Sequence, residues 1–370
     1  MFVCPLKFRR RLAAFVAMLG MMVGSLSAVE FDLRTLPAYR AKTASVHGVV
    51  RIHDTELSQH LVHLWQDRFL QLHPLVRYSE YTVPAWFSGL GADTADFAVA
   101  GRRAYRSDLK ALEGIWGYPP LEIIVATGGF NLRKGNTPGA IIFVHKDNPL
   151  SGLAIEQLDG IFGAERTGGW EGTKWSTANA RGPGKNIRTW GQLGLKGEWA
   201  DKPIHVYGPP GLHAGGIGFF QRRVMGGSDR WAQGLAEYDD RAAMIQALSH
   251  DPYGIAYTGL SYATPEVKPI ALAENEASPY VALTRETVTN RSYPLARPVY
   301  IYFAPDTPGG GPADPPVDLK VREFLRYILS RQGQEGVVRE GDFLPLMAAT
   351  VHARLHRLDE VGAMCPRFGE

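Results

Sequence analysis

The chain has 370 residues, 45% of them apolar and 21% charged, with a formal net charge of +3 and two cysteines. Lys7, Arg9, Arg10 and Arg11 all precede an apolar run, so removing these four cations from +3 leaves the rest of the chain at −1 and excludes a nucleic-acid partner drawn by bulk charge. Cys4 also lies in this leader, which leaves Cys365 alone and excludes an intrachain disulfide.

The apolar run extends from Leu12 to Val23 and is followed by the small residues Gly24, Ser25, Ser27 and Ala28. This is the layout of a cleaved secretory signal, with cleavage after Ser27 or Ala28 and export to the periplasm. The run falls short of the ~20 apolar residues that a membrane-spanning helix needs. Cys4 precedes the run, whereas a lipid-modified cysteine would end it. The mature chain of about 340 residues is long enough for two lobes of ordinary domain size.

After a polar lead-in, Gly48 to Ile52 reads as a short strand. Leu57, Leu61, Leu64, Trp65 and Phe69 then follow at the spacing of an amphipathic helix, with Asp54 or Thr55 as its N-cap. Further strands are expected at Asp96–Ala100, Leu121–Val125 and Ala140–Val144, the last ending in the turn His145 to Pro149. Helices are expected over Ala154–Phe162, Gly218–Val224, Arg241–Ser249 and Val317–Ser330. Residues 163–202 are rich in Gly, Trp, Lys and Asn and read as an irregular surface excursion, and 305–316 as a Pro/Gly loop. Continuous apolar strands alternating with helices predict an α/β architecture with mostly parallel sheets covered on both faces.

One segment points to a ligand. In IHVYGPPGLHAGGIGFFQRRV at 204–224, an apolar strand breaks into glycines and then starts a helix, which gathers free backbone N–H groups around one point. Between Tyr207 and Phe220 there is no Arg, Lys, Ser or Thr, so an anion here would rest on backbone amides, on groups from elsewhere and on His213.

Metal and enzyme chemistry find less support. His60 and His63, and His352 and His356, have helical spacing for two ligands, but no third ligand follows at a fitting distance and no cofactor is expected. There is no GxSxG and no Walker-type loop. Asp239 and Asp240 read as the acidic start of a helix, so no enzyme is expected.

Five stretches together resemble the phosphate-binding proteins of bacterial ABC importers, in the class II periplasmic binding protein superfamily. They are ADFAVAGRRAY at 95–105, AIIFVHKDNPLSGLAIEQLDGIFG at 140–163, WGQLGLKGEWADKPIHVYG at 190–208 and DPYGIAYTGLSYATPEVKPIAL at 251–272. The fifth is SYPLARPVYIYF at 292–303 with VREFLRYILSRQGQEGVVREGDFLPL at 321–346. The resemblance implies a two-lobed α/β fold, each lobe a mostly parallel sheet flanked by helices, with a hinged cleft that closes on a small oxyanion. It implies a signal peptide over 1–28, a first lobe from 29–126 and 267–370, and a second lobe over 127–266. It also implies a monomer serving an ABC permease of the inner membrane.

Residue by residue, the resemblance places Thr55 at the first anion contact with the amide of Glu56 beside it, and Thr82 close to the second. It departs at two places. Where the family has an Asp that accepts the phosphate proton, this chain has Gly101 followed by Arg102 and Arg103. Where the family has an Arg with Ser-Gly-Thr, it has Pro209-Pro210 and Ala214-Gly215-Gly216. Arg102 is the candidate compensator and Gly215 and Gly216 the candidate amide donors, set against a solvated surface charge and tight backbone packing. The alternative these departures raise is a degenerate binding-protein fold acting as a sensory or interaction module.

Overall fold

In a computed structural model, residues 31–43, 46–83, 85–131, 139–171, 174–209, 215–304 and 317–360 are described. The expected signal peptide, His213 and the Pro/Gly loop at 305–316 lie outside these residues. The chain divides into two compact units, Met1–Asp32 and Leu33–Glu370. All that follows concerns the second.

The chain opens with β1 (Gly48–Asp54), α1 (Glu56–Leu72), β2 (Val76–Thr82), α2 (Ser88–Gly91), β3 (Phe97–Ala100), α3 (Arg106–Trp116) and β4 (Leu121–Gly128). α1 forms where its apolar spacing predicts. Leu61, Trp65 and Phe69 are fully buried, and Thr55 stands at the N-cap in extended conformation, exchanging contacts with Ser58. The next elements are β5 (Ile141–His145), β6 (Gly152–Ala154), α4 (Ile155–Phe162), β7 (Gly169–Glu171), β8 (Lys174–Ser176), β9 (His205–Gly208) and α5 (Gly215–Val224). Then come β10 (Ala236–Glu237), α6 (Arg241–Leu248), β11 (Gly254–Thr258), β12 (Val267–Pro269) and β13 (Ala271–Ala273). The return consists of α7 (Arg285–Thr289), β14 (Arg297–Phe303), α8 (Leu319–Ile328), α9 (Arg331–Glu340), β15 (Phe343–Leu344) and α10 (Ala348–Glu360).

Two main sheets result, one per lobe. The first has the order β15-β4-β14-β3-β1-β2 and the second β10-β9-β11-β5-β12. In the first, β1 runs parallel to β2 and β3, while β14 enters antiparallel between β3 and β4. The C-terminal ends of β1 to β4 and the start of β14 therefore share one edge, the edge at which open α/β sheets bind ligands. β12 still pairs with β5, and β13 with β6, so the chain returns to the first sheet only with β14, later than the boundary expected at 267.

The excursion at 163–202 is more ordered than its composition predicts. It holds the hairpin of β7 and β8, Trp190 is fully buried, and Arg166 and Arg181 both reach the buried carboxylate of Asp159. A buried carboxylate needs such partners, and here they pin the excursion to α4.

Candidate functional site

α5 is the element of the second lobe that faces the first. Ile217, Phe220 and Val224 are buried, and the Phe220 ring stacks on Tyr257 at 4.0 Å. Helical spacing turns Gly218, Phe219 and Arg222 the other way. A Cβ at Gly218 would stand 3.2 Å from the Tyr105 hydroxyl, the Arg222 guanidinium lies over the Tyr105 ring, and Arg223 donates to the carbonyl of Pro294 at 3.0 Å.

On the first lobe, Gly101 to Tyr105 follow β3. Arg103 forms a two-pronged pair with Glu122, and the Ala104 amide donates to the buried Tyr302 hydroxyl, so this loop is fixed from below. Arg102 is not a solvated charge. Its side chain is 17% exposed and its guanidinium lies 4.1 Å from the Tyr105 ring centre and 5.2 Å from that of Trp86, with the Asp108 carboxylate at 3.9 Å. Arg102, Trp86 and Asp108 line a cavity of about 530 Å³ with Phe87 and Leu112.

A third guanidinium completes the cluster. Arg297 opens β14, is buried, and donates from Nε to the carbonyl of Gly101, with Phe219 of the second lobe 5.8 Å from its guanidinium. Burial first, and then the nearby charges of Arg222 and Arg102, push its pKa down to about 9. Burial likewise lowers Arg222, with Arg102 adding to the effect. A Cβ at Gly101 would fall 2.3 Å from Leu57 Cδ2 and 3.1 Å from Arg297 Nη2. The space an aspartate side chain would need at this position is thus filled by the first turn of α1 and by a guanidinium.

Thr55 is half-buried at the start of α1, its hydroxyl 3.2 Å from that of Ser58, and Glu56 is exposed. Thr82 donates its single hydroxyl proton to Asp54 at 2.8 Å and accepts from Gln59 at 2.9 Å, so in this arrangement it has no proton left for an anion. Gly215 and Gly216 form the first turn of α5. Arg222 and Arg297 escape a sequence reading because nothing in FFQRRV or PLARP separates them from surface charges, and only the fold brings positions 102, 222 and 297 together. Asp54 reads as a cap, yet it is fully buried, with one oxygen unpartnered among the described residues. Burial raises its pKa to about 7. His60 and His63 pair with Glu340 and Glu80, and no group of three or more metal-ligating side chains occurs among the described residues.

Two sheets, with guanidiniums from both lobes gathered at one strand-end edge, give the two-lobed architecture of the solute-binding proteins. A family model described as a PBP superfamily domain matches residues 90–332. The phosphate-binding protein PstS of Pseudomonas aeruginosa is 30% identical over 357 residues, which cover 94% of this chain and 98% of that protein. The protein SphX of Synechococcus elongatus is 25% identical over 219 residues, 58% of this chain and 56% of that protein. Among solved structures, PstS from Borrelia burgdorferi matches the fold with a TM-score of 0.57 at 16% identity, covering 81% of this chain and 100% of that one. An ABC-type phosphate transport receptor from Vibrio cholerae matches at 0.54 and 18%, covering 80% and 99%. The chain belongs to the phosphate-binding protein (PstS) family of ABC-transporter substrate-binding proteins, within the PBP superfamily. The comparisons support a substrate-binding role and not the degenerate module. Among the described residues, no helix is long and apolar enough to cross a membrane.

Proposed function

We propose that this protein is a monomeric, non-catalytic periplasmic receptor that captures a small oxyanion between its lobes and delivers it to an ABC permease of the inner membrane. Phosphate is the first candidate, because the relatives that match over most of their length are named as phosphate-binding proteins. The observation that carries this reading is the convergence of Arg102, Arg222 and Arg297 from both lobes on the strand-end edge. Like charges gathered in a partly desolvated place repel one another, and an anion that accepts their planar donor forks relieves that repulsion. The Thr55 hydroxyl, the Glu56 amide and the Gly215 and Gly216 amides are proposed as further donors. Thr82 is proposed to act through Asp54, whose carboxyl it holds.

Calorimetric titration of phosphate and sulfate into the mature, anion-stripped protein tests the reading. Phosphate is expected to bind with micromolar or tighter affinity. Arg102→Ala is expected to weaken it at least about tenfold, the scale of one charge-assisted hydrogen bond of ~1.5–3 kcal/mol. No heat from either anion at millimolar concentration would refute the oxyanion reading, and unchanged affinity in the Arg102 variant would remove that residue from the site.

A further inference from the structure

Tyr105 of the first lobe stands where the two lobes meet. The Arg102 guanidinium of its own lobe lies 4.1 Å from its ring centre and the Arg222 guanidinium of the other lobe 4.5 Å from it. The adjacent carbonyl of Arg103 accepts from Nη1 of both arginines. One ring and one carbonyl oxygen therefore hold two like charges side by side across the lobe boundary. The electron-rich ring face and the carbonyl dipole offset part of their repulsion, which water would otherwise screen. The ring is held in turn. Asp108 caps the Tyr105 amide at 3.0 Å, the pairing of Arg103 with Glu122 anchors the loop, and glycine at 218 lets α5 approach the Tyr105 hydroxyl. The other charged groups facing the pair are Asp108, 3.9 Å from Arg102, and the buried Arg297.

We propose that Tyr105 is a positioning residue of the anion site. Its ring, with the Arg103 carbonyl, pairs Arg102 of the first lobe with Arg222 of the second, so that the two donor forks are presented together only when the lobes meet. This rests on the oxyanion reading of the site. It requires the aromatic face and not the hydroxyl, which separates it from a role in direct ligand binding through Oη.

The test is calorimetric titration of phosphate into the mature chain as wild type, Tyr105→Ala, Tyr105→Phe, Arg222→Gln and the Tyr105→Ala/Arg222→Gln double variant. Tyr105 is 39% exposed, so its truncation opens no core, and thermal melts check that each variant is folded. Tyr105→Ala is expected to weaken phosphate binding about tenfold, with Phe restoring most of the loss because the ring face is kept. The double variant is expected to bind within about twofold of Arg222→Gln alone, since the two act as one unit. An alanine variant within about twofold of wild type, a phenylalanine variant as weak as alanine, or additive losses in the double variant would each overturn the role of Tyr105. If the wild type itself binds neither phosphate nor sulfate, the oxyanion reading fails and this proposal falls with it. Wild-type binding with an unaffected alanine variant overturns the Tyr105 role alone.

Discussion

Asp54 ends β1 out of contact with water, with Thr82 bonded to one oxygen, Glu80 raising its pKa further and His63 offsetting that in part. In the unfolded chain its carboxyl ionises near pH 4, whereas in the fold it keeps its proton to about pH 7. Between those values the unfolded chain binds fewer protons, so this group costs stability as pH rises through the interval, on the order of 4 kcal/mol once fully ionised. Asp54→Asn keeps an acceptor for Thr82 and removes the charge. Urea unfolding in anion-free buffer should therefore show the variant gaining on the wild type by more at pH 8 than at pH 5. An equal difference at the two pH values would contradict the burial of an ionisable carboxyl here. The aspartate was legible in the sequence only as a cap, because its burial depends on its pairing with Thr82 of β2, which comes from elsewhere in the chain.

At the scale of elements, the motif RQGQ shows how local sequence becomes packing. Gly333 lies where a Cβ would meet the carbonyls of Tyr327 and Ile328 at 2.3 and 2.4 Å, and its own carbonyl accepts from the buried Trp65 indole at 2.8 Å. Gln334 is fully buried and donates to the carbonyls of Val125 and Ile328 while accepting from the Leu346 amide, tying β4, α8 and the segment after β15 together. Gln334→Ala leaves those groups without partners and should cost about 2–4 kcal/mol in urea unfolding while sparing anion affinity. A loss below about 1 kcal/mol would show that water or repacking replaces the amide. Regular elements were the most legible part of the chain. The apolar run at 140–144 appears as β5 one residue later, and α4 and α6 fall within a residue of their expected bounds. β2 was not legible, since VRYSEYT carries charge and hydroxyls on a sheet-edge strand. Nor was the order in 163–202, where the Asp159 pairs replace apolar periodicity as the organising contact.

For the whole molecule, the two-lobed plan was legible because five separated stretches carried it jointly. The charge cluster was not, since its three arginines come from a loop after β3, the face of a lobe-two helix and the first residue of a returning strand. Whether an oxyanion lies among those guanidiniums is tested most directly by anomalous diffraction from crystals of the mature protein grown with arsenate, a phosphate mimic that marks its own position. We predict one dominant anomalous peak between the lobes, within hydrogen-bonding distance of at least two of Arg102, Arg222 and Arg297. A dominant peak elsewhere, or none at saturating arsenate, would contradict an anion site between these arginines.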